Sequence, residues 1–120
     1  MPKKILIVDD DPTNLALVRF LLKSNEYEPV VAADGEEGLE KFKVERPDLI
    51  VLDIEMPKKD GYTFLTELKR IQTKSIPVIM LTSKEQFQDI FKMEGVSDYI
   101  VKPLDAEKFL KKIKDLLSGS

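Results

Sequence analysis

The chain of 120 residues contains no cysteine, no histidine and no tryptophan. The lack of cysteine excludes disulfides and thiolate metal sites. The lack of histidine excludes imidazole acid–base catalysis, a Ser-His-Asp triad and any His-ligated metal. An excess of basic charge is also missing. Lysine and arginine total 19 against 22 aspartates and glutamates, a net charge of -3. That balance argues against general affinity for nucleic acid or anionic membranes. Long apolar runs are absent too. After Met1-Pro2-Lys3-Lys4 comes the short apolar run Ile5–Val8, and then three aspartates. That run is too short for a signal peptide, and no segment reaches transmembrane length, so a cytoplasmic protein without a membrane partner is expected. Sites built from oxygen ligands for hard cations remain open.

The length suits one compact domain, able to bury about 65% of its unfolded surface. Short apolar runs at Ile5–Val8, Pro29–Ala33, Leu49–Leu52, Pro77–Leu81 and Tyr99–Val101 alternate with amphipathic stretches. Most runs are continuous in Ile, Val and Leu, which marks parallel strands covered on both faces. Helical spacing links Leu15, Val18 and Leu22, then Leu39 and Phe42, then Leu65, Leu68 and Ile71. It also links Phe87, Ile90 and Phe91, and finally Phe109, Ile113 and Leu116. Asp11-Pro12 reads as an N-cap with proline at the first helical position. Asp34-Gly35-Glu36-Glu37 resembles a capping box, and Gly95 a helix stop. The order βαβαβαβαβα with short connections predicts a doubly wound α/β fold with helices on both faces of one parallel sheet. Residues 1–118 are expected to form this domain, with 119–120 as a disordered tail.

The first polar residues after the apolar runs are Asp9 and Asp10, Asp53, Thr82 and Lys102. In a parallel sheet all of them fall at the carboxyl ends of the strands, where open α/β sheets bind ligands. Three carboxylates in one crevice repel each other; at 4 Å a pair costs about 4 kcal/mol at an effective dielectric of 20. A proton or a cation must relieve this. An all-oxygen crevice suits Mg²⁺, with Mn²⁺ as the alternative, and a lysine adds a second positive point for phosphoryl transfer. A carboxylate can itself be the nucleophile, giving an aspartyl phosphate.

Ile5-Leu6-Ile7-Val8-Asp9-Asp10-Asp11-Pro12, Val51-Leu52-Asp53 through Pro57 to Asp60-Gly61, Met80-Leu81-Thr82-Ser83 and Asp98-Tyr99-Ile100-Val101-Lys102-Pro103 resemble the receiver domains of two-component response regulators over nearly the whole chain. The resemblance implies a flavodoxin-like five-stranded sheet of order 2-1-3-4-5 with five helices. It makes Asp53 the phosphoacceptor. Asp10, Asp53 and the backbone carbonyl of Glu55 would hold Mg²⁺ directly, and Asp9 would act through a metal-bound water. Lys102, Thr82 and the backbone N–H of Ser83 would contact the phosphoryl group. Thr82 and Tyr99 would form the switch. Glu55 and Lys84 would tune phosphate lifetime, and Pro57, Gly61 and Pro103 would shape the backbone. A cis Lys102-Pro103 peptide is compatible with the sequence.

Two departures from the family pattern stand out. The stretch from Thr82 to Lys102 is shorter by about half a helical turn, which trims the fourth-helix region. Lys59 also sits where an apolar residue is common. Simpler readings compete at single positions: Asp11 as a cap, Thr82 as a turn hydroxyl, Lys102 as a solvated charge, and Tyr99, Phe87 and Phe91 as core. Lys108, Lys111, Lys112 and Lys114 read as a solvated face, supported by Glu107-to-Lys111 spacing.

The leading expectation is a phosphorylation-activated switch rather than a metabolic enzyme. With no histidine in the chain, the donor must be an external histidine kinase or phosphotransfer protein, and the downstream protein is unnamed. A phosphorylation-dependent dimer is compatible with the family. Asp9-Asp10-Asp11-Pro12-Thr13 also resembles the nucleophile motif of haloacid-dehalogenase-type phosphatases, with Asp9 as nucleophile. That alternative needs a further acidic pair and leaves Asp53 without a role. A phosphate-independent interaction module is the third reading.

Overall fold

The computed structural model describes residues 2–54, 61–71, 76–83 and 95–118. The strands are β1 (Lys4–Val8), β2 (Glu28–Ala32), β3 (Leu49–Asp53), β4 (Val78–Thr82) and β5 (Asp98–Val101). The helices among the described residues are α1 (Pro12–Ser24), α2 (Gly35–Glu45), α3 (Gly61–Ile71) and α4 (Ala106–Ser118). The expected helix around Phe87, Ile90 and Phe91 falls outside the described residues, as do the trimmed fourth-helix region and Lys59. No described helix is long and apolar enough to cross a membrane.

All strand pairs are parallel and the order is β2-β1-β3-β4-β5, the flavodoxin-like arrangement. Within each continuous apolar run the side chains still alternate between faces. Ile5 and Ile7 join Val51, Ile79, Leu81, Val18, Leu22, Phe109 and Ile113 on the face covered by α1 and α4. Leu6 and Val8 join Ile50, Leu52, Met80, Phe42, Phe64 and Leu68 under α2 and α3. Every residue of β3 and β4 is buried, because two helical layers leave the central strands no wet face. Ile71, expected in the core, is instead 41% exposed at the end of α3.

The helix starts follow local chemistry. Asp11 caps α1 by accepting the Thr13 amide at 3.0 Å, with Pro12 at the first helical position. Asp34 caps α2 by accepting the Glu37 amide at 2.9 Å. The Glu37 carboxylate reaches back to the Ala33 amide, one residue before the cap, so the capping box is offset by one position. Gly95 has φ 94°, a backbone region that favours glycine.

Gly61 opens α3 and packs against the chain leaving β3. Its amide donates to the Ile54 carbonyl at 3.1 Å. A Cβ there would lie 3.0 Å from Ile54 Cα and 3.1 Å from the Asp53 carbonyl oxygen, both backbone atoms. Gly61→Ala is therefore expected to push on the segment that carries Asp53. Thermal unfolding should report a loss of about 1–3 kcal/mol, the usual cost of overpacking.

Candidate functional site

The crevice forms because strand order reverses beside β1. The chain leaves β1 toward β2 on one side, and then crosses to β3 on the other. The carboxyl ends of β1, β3, β4 and β5 thus stand in a row. Register pairs Val8 with Leu52, Asp53 with Leu81, and Thr82 with Val101. The residues that follow or end these strands converge although they lie up to 93 positions apart in sequence, from Asp9 to Lys102.

Asp9, Asp10 and Asp53 each present a carboxylate oxygen within 4.8 Å of the others. Asp9 is fully buried and Asp53 is 3% exposed, whereas Asp10 faces solvent. Lys102 reaches across from β5, and its Nζ lies 3.1 Å from Asp53 Oδ2. Its backbone is tied to the neighbouring strand, with the Lys102 amide donating to the Thr82 carbonyl at 2.7 Å. The Lys102-Pro103 peptide is cis.

Burial of an anion is tolerated when it is paired or hydrogen-bonded. Lys102 supplies the pair for Asp53. Asp9 is held by hydrogen bonds: Oδ1 accepts the Asp11 amide at 3.0 Å, and Oδ2 accepts the Asn14 carboxamide NH₂. The Asn14 contact is absent from the sequence reading. Its signal was available, since Asn14 stands in the first turn of a helix whose cap follows Asp9 and Asp10.

The cluster fits a small hard cation by the chemistry of its donors. All are oxygens, and no imidazole or thiolate competes. Two oxygens bound to one Mg²⁺ lie at most about 4.2 Å apart. The three carboxylates offer oxygens within 4.8 Å of one another, close enough for one small cation to draw on the cluster.

Thr82 is fully buried, and its hydroxyl donates to the Ser83 carbonyl at 3.1 Å. Tyr99 is half-buried and packs on the core face that includes Met80. From α4, Lys112 Nζ sits 5.8 Å from the Tyr99 ring centroid and 2.8 Å from Asp98 Oδ1. Lys112 is thus engaged with the strand that carries Tyr99, not part of a uniformly solvated face. Lys111 pairs with Asp115 at 2.8 Å rather than with Glu107. Glu55, Pro57, Lys84, Phe87 and Phe91 lie outside the described residues.

Known proteins share this fold and much of this sequence. The family model for the response regulator receiver domain matches residues 5–114. The alkaline phosphatase synthesis transcriptional regulatory protein PhoP of Bacillus subtilis is 39% identical over 122 residues, covering 100% of this chain and 50% of PhoP. The chain thus spans about half the length of that relative. Protein PilH of Pseudomonas aeruginosa is 37% identical over 119 residues, covering 97% of this chain and 98% of PilH. The crystal structure of the Vibrio cholerae chemotaxis protein CheY4 superposes with a TM-score of 0.86 at 34% identity, covering 98% of this chain and 100% of that one. With the match running through both ends of the crevice, the chain belongs to the receiver domain family of two-component response regulators.

Proposed function

We propose that this receiver domain is switched by phosphorylation of Asp53, with Mg²⁺ in the crevice and a histidine kinase or histidine phosphotransfer protein as donor. One observation carries the reading. A buried carboxylate, Asp53, is held at once beside two further carboxylates and against the Lys102 ammonium. That arrangement assembles a nucleophile, a cation cradle and a positive charge for phosphoryl oxygens.

In the reaction an Asp53 carboxylate oxygen attacks phosphorus, and the phosphorus–nitrogen bond of the donor's phosphohistidine breaks. The electron pair returns to the imidazole, which takes a proton from solvent. Mg²⁺, when bound, neutralises charge on the carboxylates and on the transferring group. In this reading Asp10, Asp53 and the Glu55 carbonyl would hold it directly, and Asp9 would act through water. Asp9 suits the indirect role because each of its oxygens already accepts one hydrogen bond.

After transfer, Lys102 follows the new charge from Asp53 to the phosphoryl oxygens. The Thr82 hydroxyl exchanges the Ser83 carbonyl for a phosphoryl oxygen, and the Ser83 amide joins it. Movement of Thr82 makes room for Tyr99 to swing, which carries the signal toward a downstream protein. Glu55 and Lys84 set the phosphate lifetime in this account. Residues 1–118 form the receiver unit, and a phosphorylated dimer is one form of its output.

Incubation with a small-molecule phosphodonor, followed by intact mass, tests the proposal. One phosphoryl group should be added in Mg²⁺ and none in chelator, with the gain lost in Asp53→Asn. Modification that persists in Asp53→Asn would move the nucleophile to Asp9 and support the phosphatase. Failure of the wild type to be modified by the phosphodonor or by phosphorylated kinase would leave the phosphate-independent module.

The charge crowding also has a consequence for the ion-free protein. Asp10 faces solvent, so its repulsion with Asp9 and Asp53 is mostly screened, at about 1 kcal/mol. Asp10→Asn is expected to raise the thermal midpoint in chelator by about 3–6 °C. In Mg²⁺ the advantage should shrink or reverse, because a ligand is lost.

A further inference from the structure

Asn14, among the described residues beside Asp9, has no role in either the family resemblance or the proposed reaction. It lies five residues beyond Asp9, at the third helical position of α1 behind the Asp11 cap. Its NH₂ donates to Asp9 Oδ2, while the Asp11 amide donates to Oδ1 at 3.0 Å. An ionised carboxylate only accepts, so the amide must present its nitrogen there. An aspartate otherwise turns broadly about its terminal torsion. Donors on both oxygens pin the plane of this buried group.

The choice of residue fits the surroundings. The third helical position after a cap commonly carries Glu or Gln, and the helix dipole favours acids in the first turn. α2 follows that rule with Glu36 and Glu37. α1 has no acid in its first turn. An acid at position 14 would add a fourth carboxylate to a cluster already spanning Asp9, Asp10 and Asp53.

We propose that Asn14 is a positioning residue for the divalent cation: it fixes the Asp9 carboxylate and so sets cation affinity without touching the ion. The inference rests on the reading of the crevice as a Mg²⁺ site. Partners that orient metal ligands are typically worth 10–100-fold in affinity. Asp9 acts through water, so the lower end applies.

Calorimetric titration with Mg²⁺ alone, beside thermal melts in chelator, provides the test. Asn14→Leu keeps nearly the same volume without a donor, and Asn14→Ala removes the side chain. Thr13→Ala alters an exposed neighbour on the same turn. Both Asn14 variants should melt cooperatively in chelator yet bind Mg²⁺ about tenfold more weakly, with Thr13→Ala unchanged. Unaltered Mg²⁺ affinity in either folded Asn14 variant would overturn the inference. So would an equal loss in Thr13→Ala, which would assign the effect to the helix turn. Absence of Mg²⁺ binding by the wild type would overturn the Mg²⁺ reading itself, and this inference with it.

Discussion

A carboxylate held 3% exposed beside two others is costly, and the placement of Asp53 governs what the rest of the structure must do. The apolar sheet can hold it because β3 is buried along its whole length and has no freedom to withdraw its last residue. Lys102 then has to arrive from β5, two strands away, to offset the charge. Packing of both helical layers thus holds three carboxylates close together, with Lys102 paired to one of them. Ligand chemistry at such a site is a matter of finishing the neutralisation.

The backbone around the crevice is braced residue by residue. Asp9 donates its amide to the Ala32 carbonyl, Ile54 to Leu81, Gly61 to Ile54 and Lys102 to Thr82. These bonds tie Asp9, Lys102 and the residue after Asp53 to neighbouring strands, and Gly61 to the chain leaving β3. The softer parts are side chains. The Thr82 hydroxyl rests on a local carbonyl, and Tyr99 sits half-buried with Lys112 over its ring. Under the proposed function a new anion at Asp53 would compete for the first, and the second lies on the edge strand β5.

Much of this was legible in the residues. Continuous Ile-Val-Leu runs announced buried parallel strands, and the first polar residue after each run located the crevice. Asp11-Pro12 and Asp34 stood as caps where the structure has caps. Other features depend on three-dimensional contacts that linear spacing does not encode. Ile71 matched the helical period, yet α3 ends there and leaves it exposed. Lys111 had two acids at helical spacing, and the structure uses Asp115 instead of Glu107. Lys112 looked like surface until β5 brought Asp98 and Tyr99 beneath it. Asn14 carried no motif; its contact with Asp9 is visible only in three dimensions.

The central claim is that the three carboxylates remain in conflict until a divalent cation joins Lys102. Thermal unfolding across a Mg²⁺ series at constant ionic strength addresses it most directly. Selective binding to the folded state stabilises by about 2.7 kcal/mol at a hundredfold excess over the dissociation constant. The account predicts a midpoint that climbs steadily with Mg²⁺ in the wild type and stays flat in Asp53→Asn. A wild-type midpoint that responds to Mg²⁺ no more than to sodium chloride of equal ionic strength would contradict it.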